Sequence, residues 1–119
     1  MQIDDPPMAT DREEERLSVL RELRVLDSVA EEATDATARA AARAFDAPVG
    51  LITLVEKDRQ WFKARHGTEL TETPRDISFC TYAIQQPDSV MVVSDAQEDP
   101  RFRNNPLVTS DFHLRFYAG

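Results

Sequence analysis

A single cysteine at the start of a short predicted helix is the first residue that could do chemistry. Cys80 follows Phe79, and the segment that it opens predicts a helix as far as Gln86, where Pro87 ends it. Backbone N–H groups and the dipole at a helix N-terminus stabilise a thiolate, which would make Cys80 a nucleophile or a redox-sensitive thiol. The alternative is a small buried hydrophobe that packs beside Phe79 and Ile84.

A polar group of residues precedes this cysteine in the predicted loop over residues 67–77. Arg75 and Asp76 follow Glu72 and Thr73, so one short loop offers a fixed cation, a hydroxyl and carboxylates. This set suits a polar ligand with an anionic or carbonyl group, which a guanidinium recognises bidentately. The alternative is that Arg75 pairs with Asp76 or Glu72 and fastens the loop to the protein.

The strand predicted before this loop, over residues 60–66, contributes aromatic side chains. Alternation places Trp61, Lys63 and Arg65 on one face and the core candidate Phe62 on the other. Trp61 could stack against a guanidinium, although packing beneath the loop is favoured. The predicted ligand site therefore lies beneath the loop and comprises Trp61, Arg75, Asp76, Phe79, Cys80 and Tyr82.

Composition and motif spacing exclude several classes of function. The net charge of −8 argues against a nucleic-acid surface, and no apolar run reaches the length of a membrane span. The two histidines, His66 and His113, have no cluster of ligands at metal-binding spacing, so we expect no metal site. The glycines form no phosphate-binding loop, and the serines lack a hydrolase elbow. One cysteine fits a reducing cytoplasm.

The chain before the first strand predicts two helices. Residues 10–13 and 28–31 both fit a capping box, in which a hydroxyl and a carboxylate satisfy backbone N–H groups at a helix start. The first helix has leucines at helical spacing, namely Leu17, Leu20, Leu23 and Leu26. The second runs through Phe45 with a thin apolar face of Ala33, Ala36, Ala40 and Ala44. Residues 1–9 are predicted to be a disordered lead-in, and residues 10–119 to be one domain.

Strands are predicted over residues 49–55, 60–66, 89–93 and 113–118. The first is continuously apolar, as in a strand covered on both faces. The order of elements indicates an α+β fold, an antiparallel sheet with helices packed mainly on one face. Its predicted core includes Ile52, Leu54, Phe62 and Phe116.

Three separated motifs carry a resemblance to a known family. They are W-F-K-x-R-x-G at residues 61–67, E-T-x-R-x-x-S-F-C at residues 72–80 and F-Y-A-G at residues 116–119. In this order they resemble a bacterial sensory subfamily of the GAF domain, which implies a GAF-like, PAS-related fold. The resemblance implies a catalytically silent, ligand-sensing regulatory module that acts on an output domain such as a histidine kinase, a diguanylate cyclase or a phosphatase. Compared with the family, a final central strand and a C-terminal helix would be missing, so an incomplete domain or a strand-swapped homodimer is expected.

Other GAF functions fit this sequence less well. Bilin attachment is not expected, because Thr81, and not a histidine, follows Cys80. A reductase of free methionine sulfoxide would need a resolving cysteine besides Cys80. The N-K…F…D-E signature of cyclic-nucleotide-binding GAF domains cannot be placed. A structural dimerisation module whose pocket is filled by side chains remains an alternative, as does a thiol-based redox sensor that uses Cys80. The sequence identifies no cofactor.

Overall fold

The computed structural model describes residues 10–119, with side chains from residue 12 onward. The predicted lead-in and the hydroxyl of the first capping box therefore lie outside the described residues. The described helices are α1 (Thr10–Leu23), α2 (Glu32–Ala44), α3 (Cys80–Ala83) and α4 (Pro106–Thr109). The strands are β1 (Gly50–Val55), β2 (Arg59–His66), β3 (Glu72–Pro74), β4 (Val92–Val93) and β5 (Tyr117–Ala118). The chain divides into two compact units, one ending at Arg75 and the other spanning Asp76–Gly119.

The first unit contains an antiparallel sheet in the order β1-β2-β3. Ile52 lies opposite Ala64 while Thr53 lies opposite Phe62, so Lys63 is an extra residue in β2. Such a bulge bends a strand and re-aims a side chain. Phe62 is buried as predicted, while Ile52 and Leu54 are half-buried. The antiparallel α+β class predicted from the sequence is confirmed.

Helix α2 packs against β1 and β2 through a face that the sequence did not predict. Its buried residues are Ala38 and Ala42, whereas Ala33, Ala40 and Ala44 are exposed. The approach is close, since a Cβ at Gly50 would clash with the carbonyl of Ala38 and the methyl of Ala42. The predicted alanine face was wrong because alanines surround the helix and their spacing does not select one side.

The start of α2 differs from the capping-box prediction, and the Glu13 carboxylate of the first predicted box has cationic partners. The Glu13 carboxylate accepts hydrogen bonds from Arg16 and Arg75. Helix α2 has Glu31 at its N-cap without a side-chain hydrogen bond. Ser28, the predicted cap, donates instead to the Val25 carbonyl. At the start of α2, a local turn therefore takes the hydroxyl that was predicted to cap the helix.

The second unit has a core of Phe79, Val93, Ala96, Phe102 and Val108 beside the antiparallel pair β4-β5. Both strands are shorter than predicted, and His113 has a φ of 55° where a strand was expected. The prediction that Phe116 belongs to the core was also wrong. Tyr117 lies opposite the buried Val93 and packs against the core, whereas Phe116 is 44% exposed.

Candidate functional site

The six predicted site residues fall into two groups along the chain. Trp61 and Arg75 belong to the unit that ends at Arg75. The remaining four, Asp76, Phe79, Cys80 and Tyr82, belong to the unit Asp76–Gly119. The two groups differ in character, since the first is organised by ion pairs and the second by aromatic packing.

Arg75 forms an ion pair with a residue distant in sequence. Its Nη1 donates to Glu13 Oε2 at 2.6 Å and to the Glu56 carbonyl at 3.1 Å. Both side chains of the pair are 20% exposed. Glu72, which the sequence offered as a partner of Arg75, accepts a hydrogen bond from Arg59 at 2.9 Å. Arg75 therefore fastens the end of the loop to α1 and to the turn after β1.

Glu13 is shared between two guanidinium groups. Arg16 donates to Oε1 at 3.1 Å and to Oε2 at 2.9 Å, while Arg75 also donates to Oε2. The hydrogen bonds from Arg16 above all, and those from Arg75, lower the pKa of Glu13 to about 2 despite its partial burial. Arg16 also donates to the Val55 carbonyl at 2.5 Å, so this group connects α1 to the end of β1.

Arg59 forms a second ionic centre that the sequence did not reveal. It pairs with Asp27 at 2.6 Å, with Glu56 at 2.5 Å and with Glu72 at 2.9 Å. These carboxylates come from the segment after α1, the turn after β1 and β3, and the hydrogen bond to Arg59 lowers the pKa of Asp27. Arg59 directly precedes the strand predicted over residues 60–66, and this position did not indicate which carboxylates would surround it.

Lys63 is nearly buried, with 5% of its side chain exposed. Its ammonium donates to Ser28 Oγ at 2.8 Å and to the Val29 carbonyl at 2.5 Å, and it pairs with Glu31 Oε1 at 2.9 Å. Three donors thus meet three acceptors, which is what a buried lysine requires. The sequence placed Lys63 on the face of Trp61, but the bulge at Lys63 breaks the simple alternation.

Trp61 is half-buried and lies between these two cations on β2. It is opposite Leu54 on β1 and Glu72 on β3. Trp61 is therefore in the middle of the three-stranded sheet. Its predicted role as a ligand contact remains a prediction.

The second group surrounds an aromatic cluster. Phe79, which is 2% exposed, stacks on Phe102 with ring centroids 3.9 Å apart, and Tyr82 meets Phe102 edge-on at 5.1 Å. The guanidinium of Arg101 lies 4.9 Å from the Phe102 ring and 5.7 Å from the Tyr82 ring. Phe79 is thus a core residue in its unit, while Tyr82 is half-buried at the edge of the cluster and Asp76 is exposed.

Cys80 is half-buried, and its thiol lies 3.2 Å from the hydroxyl of Tyr117. Burial, together with Cys80, raises the pKa of the Tyr117 phenol well above its ordinary value. Tyr117 also packs against Phe79, with ring centroids 5.3 Å apart. Cys80 therefore belongs to the rim of the aromatic cluster, in contact with the last strand.

No group of three or more His, Cys, Asp or Glu residues within residues 10–119 is arranged to hold a metal ion. None of the described helices is long and apolar enough to cross a membrane.

Comparison with known proteins relates this arrangement to a family. Residues 25–119 match the family model of the GAF domain. The chain is also 41% identical over 114 residues, which is 96% of its length, to a protein of Pseudomonas aeruginosa described as a cyclic di-GMP phosphodiesterase. It spans only 19% of the length of that relative.

Proposed function

The chain belongs to the GAF domain family, and we propose that it is a small-molecule-sensing regulatory module of a signal-transduction protein. In this proposal the module has no catalytic activity and acts on a separate output domain. Its site comprises Trp61, Arg75, Asp76, Phe79, Cys80 and Tyr82, beneath the loop that contains Arg75. The module is cytoplasmic and functions as a homodimer.

The ion pair between Arg75 and Glu13 supports this proposal most directly. Arg75 ends the loop, and Glu13 lies on α1, so one hydrogen bond of 2.6 Å joins the proposed site to a helix at the beginning of the described chain. A ligand regulates a protein only if it binds two conformations with different affinity. An anionic ligand on Arg75 would compete with the Glu13 carboxylate and thereby loosen α1, which makes α1 the relay to a partner domain.

The proposed ligand carries a carboxylate or a phosphate group. Arg75 already holds a carboxylate, that of Glu13, so its surroundings are compatible with a negatively charged oxygen. The guanidinium fork binds such groups in a fixed plane, whereas a neutral ligand would gain little from it. Carboxylates and phosphates both present an anionic oxygen to Arg75, and a ligand screen distinguishes these two classes.

A thermal-shift screen of anionic and neutral metabolites tests the sensing function. A ligand at one hundred times its Kd stabilises the folded state by about 2.7 kcal/mol, which corresponds to a rise in Tm of roughly 10 °C or more in a domain of this size. We expect the rise for at least one anionic compound and its loss in Arg75→Gln. Arg103→Gln, which removes an exposed arginine from the other unit, is the matched control.

The output is proposed to be an enzyme of cyclic di-GMP turnover. The similar protein of Pseudomonas aeruginosa is described as a cyclic di-GMP phosphodiesterase, and the chain matches a fifth of it. This adds a phosphodiesterase to the outputs that the sequence suggested. Fusing the chain to a phosphodiesterase domain and measuring hydrolysis with and without a ligand from the screen tests the proposal; hydrolysis that does not respond to the ligand contradicts it.

A structural dimerisation module is the second candidate, and a specific observation favours it. Phe79, a predicted pocket residue, is instead stacked tightly on Phe102 within the core. Side chains that fill the interior leave less room for a ligand. A dimer that forms in solution, together with no stabilising compound in the screen, would favour this candidate over sensing.

A further inference from the structure

The end of α1 is a place where the local sequence and the structure disagree. Leucines at helical spacing continue as far as Leu26, but the helix ends at Leu23. Arg24 has a φ of 52° and Asp27 a φ of 60°. Residues other than glycine adopt this left-handed conformation only when surrounding contacts hold them there. We refer to residues 24–31, which join α1 to α2, as the strap.

Two cations on β2 bind the strap from Asp27 onward. Arg59 binds the Asp27 carboxylate with both terminal nitrogens, at distances of 3.1 and 2.6 Å. Lys63 binds the far end of the strap, where Ser28 Oγ and the Val29 carbonyl accept from it and Glu31 pairs with it. The bulge at Lys63 interrupts the regular alternation of side chains along β2. The ammonium of Lys63 is thereby directed at the strap. The strap is thus attached at two points.

A helical alternative is available to the first half of the strap. Arg24 and Leu26 are strong helix formers, Val25 is a weaker one, and residues 24–26 contain neither glycine nor proline. Helical φ and ψ at Arg24 would remove its left-handed conformation and continue α1 towards Leu26. Leu26 would then follow Val19 and Leu23, which are 51% and 67% exposed on α1, along one side of the longer helix.

We propose that residues 24–27 are a helix-extension switch. With Arg59 and Lys63 bound to the strap, α1 ends at Leu23; with these contacts released, α1 gains about one turn and presents Leu26 beside Leu23. Trp61 lies on β2 between the two anchoring residues, so a ligand or partner that contacts β2 there is placed to bias the two states. The switch goes beyond the sensing function proposed above and does not depend on the identity of any ligand.

Backbone NMR chemical shifts of anchor-deficient variants test the switch without a ligand. Asp27→Ala removes the bond to Arg59 at a residue that is 64% exposed, so folding should be retained. Lys63→Met removes the ammonium but keeps the length of the side chain. We expect the Cα shifts of residues 24–26 to move towards helical values in each variant. The change should be larger in the double variant that combines Asp27→Ala with Lys63→Met.

The identity of residue 24 gives a matched comparison within the released state. In the double variant, Arg24→Gly should lower the ratio of extended to short helix at least about fivefold relative to Arg24→Ala. The fivefold part corresponds to their difference in helix propensity, and the left-handed conformation of residue 24 in the short state favours glycine further. Shifts that move towards random coil on loss of the anchors would overturn the proposal, as would unchanged shifts. If Lys63→Met does not fold, Asp27→Ala combined with Ser28→Ala decides by the same criteria.

Discussion

Glu13 holds its charge because Arg16 and Arg75 both donate hydrogen bonds to it. Its pKa falls to about 2, while the unfolded chain keeps the ordinary value near 4.5. A carboxyl group with a lowered pKa stabilises the folded state above its unfolded pKa. Its contribution is therefore complete above about pH 4.5 and is lost as the pH falls towards 2.

The first prediction concerns this carboxylate. Glu13→Gln should lower the free energy of unfolding by roughly 1–3 kcal/mol at pH 7, because charge-assisted hydrogen bonds to two arginines are lost. The difference from wild type should shrink between pH 4.5 and 2, as the wild-type carboxylate becomes protonated. Urea unfolding across this range measures both effects. Glu14→Gln, an exposed neighbour that removes the same charge, should change stability by less than about 0.5 kcal/mol.

The second prediction concerns Tyr117, whose phenol has a pKa raised by burial and by Cys80. A raised phenol pKa contributes stability that is complete below the unfolded value of about 10 and is lost as the pH rises above it. Tyr117→Phe should remove this alkaline loss, while costing only about 0.5–1.5 kcal/mol at pH 7 for the hydrogen bond to Cys80. Urea unfolding from pH 8 to 11 compares it with Tyr82→Phe, a half-buried tyrosine that packs against the same aromatic cluster. An equal alkaline loss in Tyr117→Phe and wild type would contradict the assignment.

The sequence identified charged residues more readily than their partners. Arg75 was recognised as a fixed cation in a loop, but its partner Glu13 lies 62 residues away and no local spacing relates the two. Lys63 was assigned to the face of Trp61 because strict alternation was assumed, but Lys63 is the extra residue of a bulge opposite Ile52 and Thr53. Such long-range ion pairs and bulges depend on the assembled sheet, so a reading of neighbouring residues does not find them.

At the scale of elements, the sequence predicted which segments form helices and which form strands. It did not predict their buried faces or the residues at which they end. Apolar, β-branched residues predicted β1, and the alternation around Phe62 predicted β2 and its buried ring. In α2 the buried side is set by the close contact with Gly50 and not by hydrophobicity, since every candidate is alanine. In β5 the pairing of Tyr117 with Val93 decides which side chain is buried.

The third prediction tests the buried face of α2. Ala38 is fully buried, whereas Ala40 is exposed on the same helix. Ala38→Val should lower the free energy of unfolding by about 1–3 kcal/mol, because extra methyl groups overpack the contact with β1. Ala40→Val should cost no more than roughly 0.7 kcal/mol, the difference in helix propensity. Equal effects in urea unfolding would contradict the observed face and favour the one inferred from alanine spacing.

At the scale of the whole molecule, net charge and exposed apolar surface act in opposite directions. A charge of −8 keeps copies of the chain apart through mutual repulsion. Val90, Val92 and Phe116 are large hydrophobic residues that are 66%, 56% and 44% exposed around the β4-β5 pair. Burying such residues between two copies is favourable and depends little on salt, whereas the repulsion is screened by it.

The last prediction follows for self-association. If the proposed homodimer uses the surface around β4-β5, its Kd should fall as NaCl rises from 50 to 500 mM, because screening removes repulsion and leaves apolar contact unchanged. Light scattering across a dilution series at each salt concentration measures this. Phe116→Thr should weaken the dimer at least about tenfold, since a buried aromatic anchor is commonly worth 2 kcal/mol or more. Phe45→Thr removes another exposed aromatic ring, at the end of α2, and should leave the Kd unchanged. A monomer at every concentration and salt would contradict the homodimer itself. A dimer that weakens as salt rises would instead be held by charged residues. A dimer that Phe116→Thr does not weaken would have its contact elsewhere on the surface.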